Sequence, residues 1–317
     1  MNTQTLNLII SFLATFVLGI IIVPKLKKFK IGQIVRDDGP KSHLKKNGTP
    51  TMGGIIMLIV IITILGFYAV SNHELILPIV AILGFGIIGF IDDYKKLIKK
   101  DTKGLSPLKK ILGLFIVTAV FIVLYLNVFK FGTDIIIPFI DQPLTLSTGA
   151  FVVFTAFILI GTSNAVNLTD GLDGLASGVV AIIMTFFTII AVKNSDQDMI
   201  ILGSVTVGTC LAFLIFNINP AHVFMGDTGS LSLGGAVAAI AIMLKMPVYL
   251  AIVAFVCIID TLSVILQVLY FKATKGKRLF KMAPFHHHLE LSGMKETKVV
   301  ILFWVITAIC SVIAYLV

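Results

Sequence analysis

Ten apolar runs, each about as long as a bilayer crossing requires, dominate this 317-residue chain. They fall near 5–23, 53–70, 76–92, 108–127, 149–167, 174–192, 199–216, 229–245, 247–271 and 299–317. A helix rising about 1.5 Å per residue needs roughly 20 mostly apolar residues to cross a hydrocarbon core about 30 Å thick. Composition agrees, since 57% of residues are hydrophobic and only 13% charged, against roughly a quarter charged in an ordinary soluble domain. The expectation is an all-α polytopic integral membrane protein with ten transmembrane helices, a single domain over 1–317. A soluble enzyme, a disordered chain and a large extramembrane domain are excluded. The first run reads as a retained span, because MNTQTLN carries no basic residue and the run passes straight into PKLKKFK. Cys210, Cys257 and Cys310 sit inside apolar runs without metal-ligand or redox spacing and read as small buried hydrophobes.

An even number of spans puts both termini on one side and sorts the connections into two sets. Segment 24–52 carries eight Lys and Arg, 94–110 seven and 272–298 seven, whereas the other set holds only Lys130, Lys193 and Lys245. With 22 of 25 basic residues on one face, the positive-inside rule makes that face cytoplasmic and both termini extracytoplasmic. The net charge of +9 is therefore a topology signal, and no nucleic-acid partner is expected. Segment 128–148 differs from the other connections: β-branched residues around Pro138 and a polar turn predict a small external β-hairpin.

Polar residues at the cytoplasmic face carry the chemistry, because a carboxylate near hydrocarbon persists only with a partner or a function. Five features gather there: DDGPKSHLKKNGTPTMGG (37–54), GFIDDYKK (89–96), NAVNLTDGLDGLA (164–176), NPAHVFMGDTGS (219–230) and MAPFHHHLE (282–290). Asp92 and Asp93 close the third helix, where they oppose its dipole and repel each other, so lysine or a divalent cation must compensate. Side chains about 100° apart can also hold different jobs. Asn164, Asn167, Asp170 and Asp173 recur every three residues and cannot share one face of a straight helix; Gly171 and Gly174 let the chain curl after Asp170. Asp227 precedes Thr228-Gly229-Ser230 at a helix start, which is either an ordinary cap or an anion site with an acid placed to bridge to phosphate. The connections carrying the Asn/Asp run and Asp227 contain no Lys or Arg, a pattern that invites Mg²⁺. His286-His287-His288 lies in a basic loop and suits phosphate better than zinc. Asp260, inside the ninth run, either bonds a neighbouring helix or lines a polar notch beside a lipid groove.

Taken in this order on one side of a ten-span chain, the five motifs resemble the polyprenyl-phosphate N-acetylhexosamine-1-phosphate transferase superfamily. SHLKKNGTPTMGG and the uninterrupted MAPFHHHLE bring the chain nearest its phospho-N-acetylmuramoyl-pentapeptide transferase branch. That resemblance implies Mg²⁺-dependent transfer of phospho-N-acetylmuramoyl-pentapeptide from UDP-MurNAc-pentapeptide to undecaprenyl phosphate. The products are lipid I and UMP, in the first membrane step of peptidoglycan synthesis. It further implies a homodimer in the bacterial cytoplasmic membrane with the active site facing the cytoplasm. Carried over residue by residue, Asp227 would be the Mg²⁺ ligand, Asp92 the residue acting on the lipid phosphate and Asp93 its acidic neighbour. Asn167, Asp170 and Asp173 would form the nucleotide-side cluster with Phe224 stacking on uracil, while Lys46, Lys110, His287 and His288 would contact diphosphate or sugar. Asp92 either takes the remaining proton of the lipid phosphate or attacks the diphosphate itself. The competing expectations are a UDP-N-acetylglucosamine-1-phosphate transferase and, in a different class, a transporter or flippase, whose sites usually lie near the bilayer midplane.

Overall fold

The computed structural model describes residues 2–28, 46, 48–99 and 104–317. The structure is a helical bundle: α1 (Thr3–Lys28), α2 (Gly54–Ala69), α3 (Ile76–Lys99), α4 (Pro107–Val123), α5 (Thr148–Thr169), α6 (Leu175–Lys193), α7 (Gln197–Asn217) and α8 (Gly226–Met243). After a short α9 (Leu250–Val253) come α10 (Phe255–Ala273), α11 (Phe285–Leu291) and α12 (Glu296–Leu316). Among the described residues, nine helices are long and apolar enough to cross a membrane. The second apolar run is shorter than the sequence suggests, because α2 holds 16 residues, or about 24 Å of rise. The ninth run is broken. Pro247–Tyr249 forms a 3-10 turn, α9 adds four residues, and Ala254 at ψ 23° interrupts the chain before α10. Neither Pro nor Gly stands at 254, so unbroken apolarity concealed the break.

Helix α8 is the axis of the fold. Every residue from Thr228 to Ile242 is buried, as expected of a helix that is apolar and small on all sides. Its small residues let neighbouring backbones close in. A Cβ on Gly54 of α2 would lie 2.3 Å from the Gly229 backbone, and one on Gly89 of α3 would lie 2.2 Å from the Asp227 carbonyl oxygen. The outer helices instead expose apolar side chains, such as Leu13, Val17 and Ile20 on α1 and Val153 and Phe157 on α5. A belt of that size is stable against lipid and not against water. Cys210 and Cys257 are buried, while Cys310 is only partly so.

At the end opposite the acidic motifs, the hairpin expected near 128–148 is two short antiparallel strands, β1 (Asp134–Ile135) and β2 (Leu144–Thr145). It is tied to the end of α8, since Ile136 donates its N–H to the Lys245 carbonyl at 2.7 Å and Lys245 pairs with Asp134 at 3.3 Å.

Candidate active site

The acidic motifs come together at one end of the bundle, and Asp227 is their hub. Its Oδ2 accepts from Lys110 Nζ at 2.8 Å and Lys96 Nζ at 3.2 Å, and its Oδ1 accepts from Asn167 Nδ2 at 3.0 Å. Asn167 also donates to Ser230 Oγ at 2.8 Å, one turn along α8. Lys96 reaches back to Asp92 Oδ2 at 2.7 Å, so a single ammonium bridges the two acids. Lys96 stands four residues after Asp92 in the same motif, whereas Lys110 comes from α4 and Asp227 from α8, a convergence that local sequence could not display.

Asp92 and Asp93 do hold different jobs. Asp92 Oδ1 accepts from the Leu105 backbone N–H while its Oδ2 takes Lys96. Asp93 points into the fold and caps α8 from outside, accepting from Asp227 N at 3.1 Å, Thr228 N at 2.9 Å and Thr228 Oγ1 at 2.7 Å. The first N–H groups of a helix have no intrahelical partner and favour negative charge, so Asp93 satisfies them and thereby orients Asp227.

The Asn/Asp run divides in space. Asn164 turns back on its own helix to the Ile160 carbonyl at 2.8 Å. Helix α5 ends at Thr169, and Gly174 takes the left-handed conformation at φ 79° before α6 starts, the curl that the glycines permit. Asp170 stays beside the hub, and among the described residues no donor reaches its carboxylate. Burial first, then the charges of Asp227, Asp93 and Asp173, hold its carboxyl well above the usual range. Three residues on, Asp173 is fully engaged. It accepts from Lys46 Nζ at 2.7 Å, Asn219 Nδ2 at 2.9 Å and the Ala221 N–H at 3.1 Å. Glu296, the first residue of α12, completes this second network by accepting from Lys46 Nζ and, at 2.9 Å, from the Asp173 N–H.

Lys46 therefore sits on Asp173 and Glu296, apart from the hub. Phe224 is half-buried, and its backbone pairs with the first motif: Phe224 N donates to Pro50 O and Gly53 N to Phe224 O, each at 2.8 Å. Residues 37–45 and 47 of that motif, His43 and Lys45 among them, lie outside the described residues. Of the three histidines, His287 pairs with Glu290 at 2.9 Å. His288 stacks on Phe285, and its Nδ1 accepts from the Lys281 N–H at 3.1 Å. His286, which the motif gave no reason to single out, is the buried one and is paired with Asp260 at 2.9 Å. Glu296 and Asn219 were likewise unsignalled, because each acts across more than 40 residues of chain.

The donor set suits Mg²⁺. Asp92, Asp93, Asp170 and Asp227 offer hard oxygens, and the described residues answer these four carboxylates with two ammonium groups, leaving Asp170 without a cation. Among the described residues no three histidine, cysteine or acidic side chains form a ready-made cage.

Residues 75–245 match the model of glycosyl transferase family 4, a stretch that contains the whole hub. The bundle is thus of a membrane-embedded transferase class. The chain is 52% identical over 309 residues to the phospho-N-acetylmuramoyl-pentapeptide-transferase of Acetivibrio thermocellus, covering 97% of this chain and 93% of that protein. It is 48% identical over 302 residues to the protein of that name in Bacillus subtilis, covering 94% and 92%. With the Clostridium novyi protein of the same name it shares 44% over 320 residues, covering 100% and 97%. The chain belongs to the phospho-N-acetylmuramoyl-pentapeptide-transferase family and is an enzyme.

Proposed function

We propose that the chain transfers phospho-N-acetylmuramoyl-pentapeptide from UDP-MurNAc-pentapeptide to undecaprenyl phosphate with Mg²⁺, producing lipid I and UMP. The observation that carries this reading is Asp227 at the head of α8, gripped by Lys96, Lys110 and Asn167 and lying beside Asp170, which has no donor among the described residues. Our reading places the site on the cytoplasmic face of the bacterial cell membrane, with α2 as a tenth span, both termini outside and one transferase domain over 1–317. It includes the homodimer implied by the family resemblance.

Phosphoryl transfer asks the protein mainly to align the acceptor and to stabilise charge on phosphorus oxygens and the leaving group. Bound at Asp227, Mg²⁺ would supply positive charge against the diphosphate and the departing UMP. Lys96 and Lys110 are held ready by Asp227 and turn their donors to phosphate oxygens when the donor substrate enters. Asn167 fixes Asp227 Oδ1, and Asp93 fixes the helix end on which Asp227 stands. Asp92 accepts the remaining proton of the lipid phosphate in a one-step route. Both of its oxygens are already tied, by Lys96 and by Leu105 N–H, and these bonds oppose its use as a nucleophile. Phe224 offers its ring to uracil, while Lys46, His287 and His288 line the approach of sugar and diphosphate.

Purified protein with undecaprenyl phosphate, Mg²⁺ and either UDP-MurNAc-pentapeptide or UDP-N-acetylglucosamine tests the reading through UMP release. Release with the first donor is expected. Turnover with the second donor alone would contradict the branch, and exchange of UMP into the donor without lipid acceptor would contradict the one-step route.

A further inference from the structure

Asp260 and His286 take no part in the chemistry above, yet both are 0% exposed. Asp260 lies within α10, a membrane-crossing candidate, where an ionisable side chain is costly unless it is paired or functional. Its grip on His286 has two points: Oδ2 faces the imidazole Nδ1 at 2.9 Å, and Oδ1 accepts the His286 backbone N–H at 3.2 Å. One contact fixes the ring and the other fixes the start of α11. With Nδ1 donating to a carboxylate, the far nitrogen is left to the neighbouring loop. That Nε2 is buried, and among the described residues it has no hydrogen-bond partner. Buried polar atoms without partners are uncommon in folded proteins and call for an explanation.

What Nε2 meets is Gly171, the residue after Asp170. A Cβ placed on Gly171 would lie 2.2 Å from Nε2 and 2.9 Å from the adjacent ring carbon. Gly171 is not among the glycines of positive φ, so backbone strain does not account for it. The reason is space: the ring, held from behind at two points, abuts the chain where α5 has ended and α6 has not begun. Helix α10 also packs along α5. The chain of contact thus runs from Asp260 through the His286 ring to Gly171, one peptide from the Asp170 carboxyl.

We propose that Asp260 and His286 form a buried positioning pair that sets the loop carrying Asp170. This inference rests on the proposed reaction for its catalytic consequence, but its structural half can be read without turnover. Asp260→Asn keeps shape and one acceptor while losing the two-point grip. In that variant amide hydrogen exchange over 170–174 is expected to accelerate about tenfold with α8 unaffected. The kcat for UMP release is expected to fall by roughly 10- to 100-fold, with KM for the nucleotide donor changed less than about threefold, the split expected when alignment in the transition state is lost and ground-state binding is kept. Gly171→Ala, which presses on the ring from the other side, is expected to lower kcat similarly and decides the matter if Asp260→Asn does not fold. Unchanged exchange over 170–174 together with unchanged kcat in either folded variant would overturn the pair's role. Absence of UMP release from the wild type would count against the proposed reaction, leaving the exchange result to judge the pair.

Discussion

Asp170 and Asp173 lie at the same end of the bundle and three residues apart, yet they are built in opposite ways. Every described contact of Asp173 satisfies it: Lys46, Asn219 and the Ala221 N–H meet its oxygens, and Glu296 meets its own N–H. Asp170 has three acidic neighbours and no donor among the described residues, and its carboxyl is pushed up accordingly. A satisfied buried network rigidifies the parts that it joins, here the loop before α6, the segment after α7 and the start of α12. An unsatisfied carboxylate stores cost and is the natural place for a ligand. In this molecule the first group joins three parts of the architecture, and the second is the one that our proposed reaction gives to the substrate and its ion.

The largest effect is expected at the hub. Asp227→Asn preserves volume but removes the charge on which Lys96 and Lys110 converge. Turnover is expected to fall by about 10³-fold or more, in the range seen when a charge-stabilising group is lost, and the melting temperature in detergent to fall as well, because two ammonium groups lose their shared carboxylate. Near-normal turnover would remove Asp227 from the metal site. An intermediate effect is expected from Asp173→Ala, which strands Lys46, Asn219 and an N–H in a buried place. The cost is about 1–3 kcal/mol, read as a lower melting temperature with a smaller loss of turnover than at Asp227. If Asp173→Ala left stability alone and abolished turnover, the contrast between the two networks would fail.

The smallest effect is expected at the far end, where Asp134 is partly exposed and its carboxyl is lowered by the Thr145 hydroxyl and then by Lys245. A lowered carboxyl contributes stability above its unfolded pKa and loses it as pH falls through the lowered value. Asp134→Asn is therefore expected to melt slightly below the wild type at neutral pH, with the gap closing in acid and turnover unchanged. An exposed pair of this kind contributes little.

Much of this was legible in the chain. Apolar runs anticipate nearly every helix, because length and hydropathy alone decide what can cross a bilayer. The separate duties of Asp92 and Asp93 follow from helical geometry, and the curl after Asp170 from Gly174, which takes the left-handed conformation, whereas Gly171 serves by its small size. The break at Ala254 and the shortness of α2 were hidden, since both sit in continuous apolar sequence. A lysine beside Asp92 was expected and Lys96 is there, but the longer-range partners of the acids were hidden. That Lys96 serves two aspartates, that Glu296 shares Lys46 with Asp173, and that His286 rather than its neighbours is the buried histidine are facts of tertiary convergence with no local periodicity to reveal them.

The paired variants Asp170→Asn and Asp173→Asn, melted without substrate at neutral pH, test the central contrast most directly. A carboxyl raised in the folded state takes stability away as pH rises through its folded pKa. An amide at 170 avoids that loss, so the melting temperature is expected to rise by roughly 2–4 °C, about 1 kcal/mol, while UMP release falls. An amide at 173 weakens the bond to Lys46, and the melting temperature is expected to fall. Opposite signs support the account; a loss of stability at both positions would contradict it.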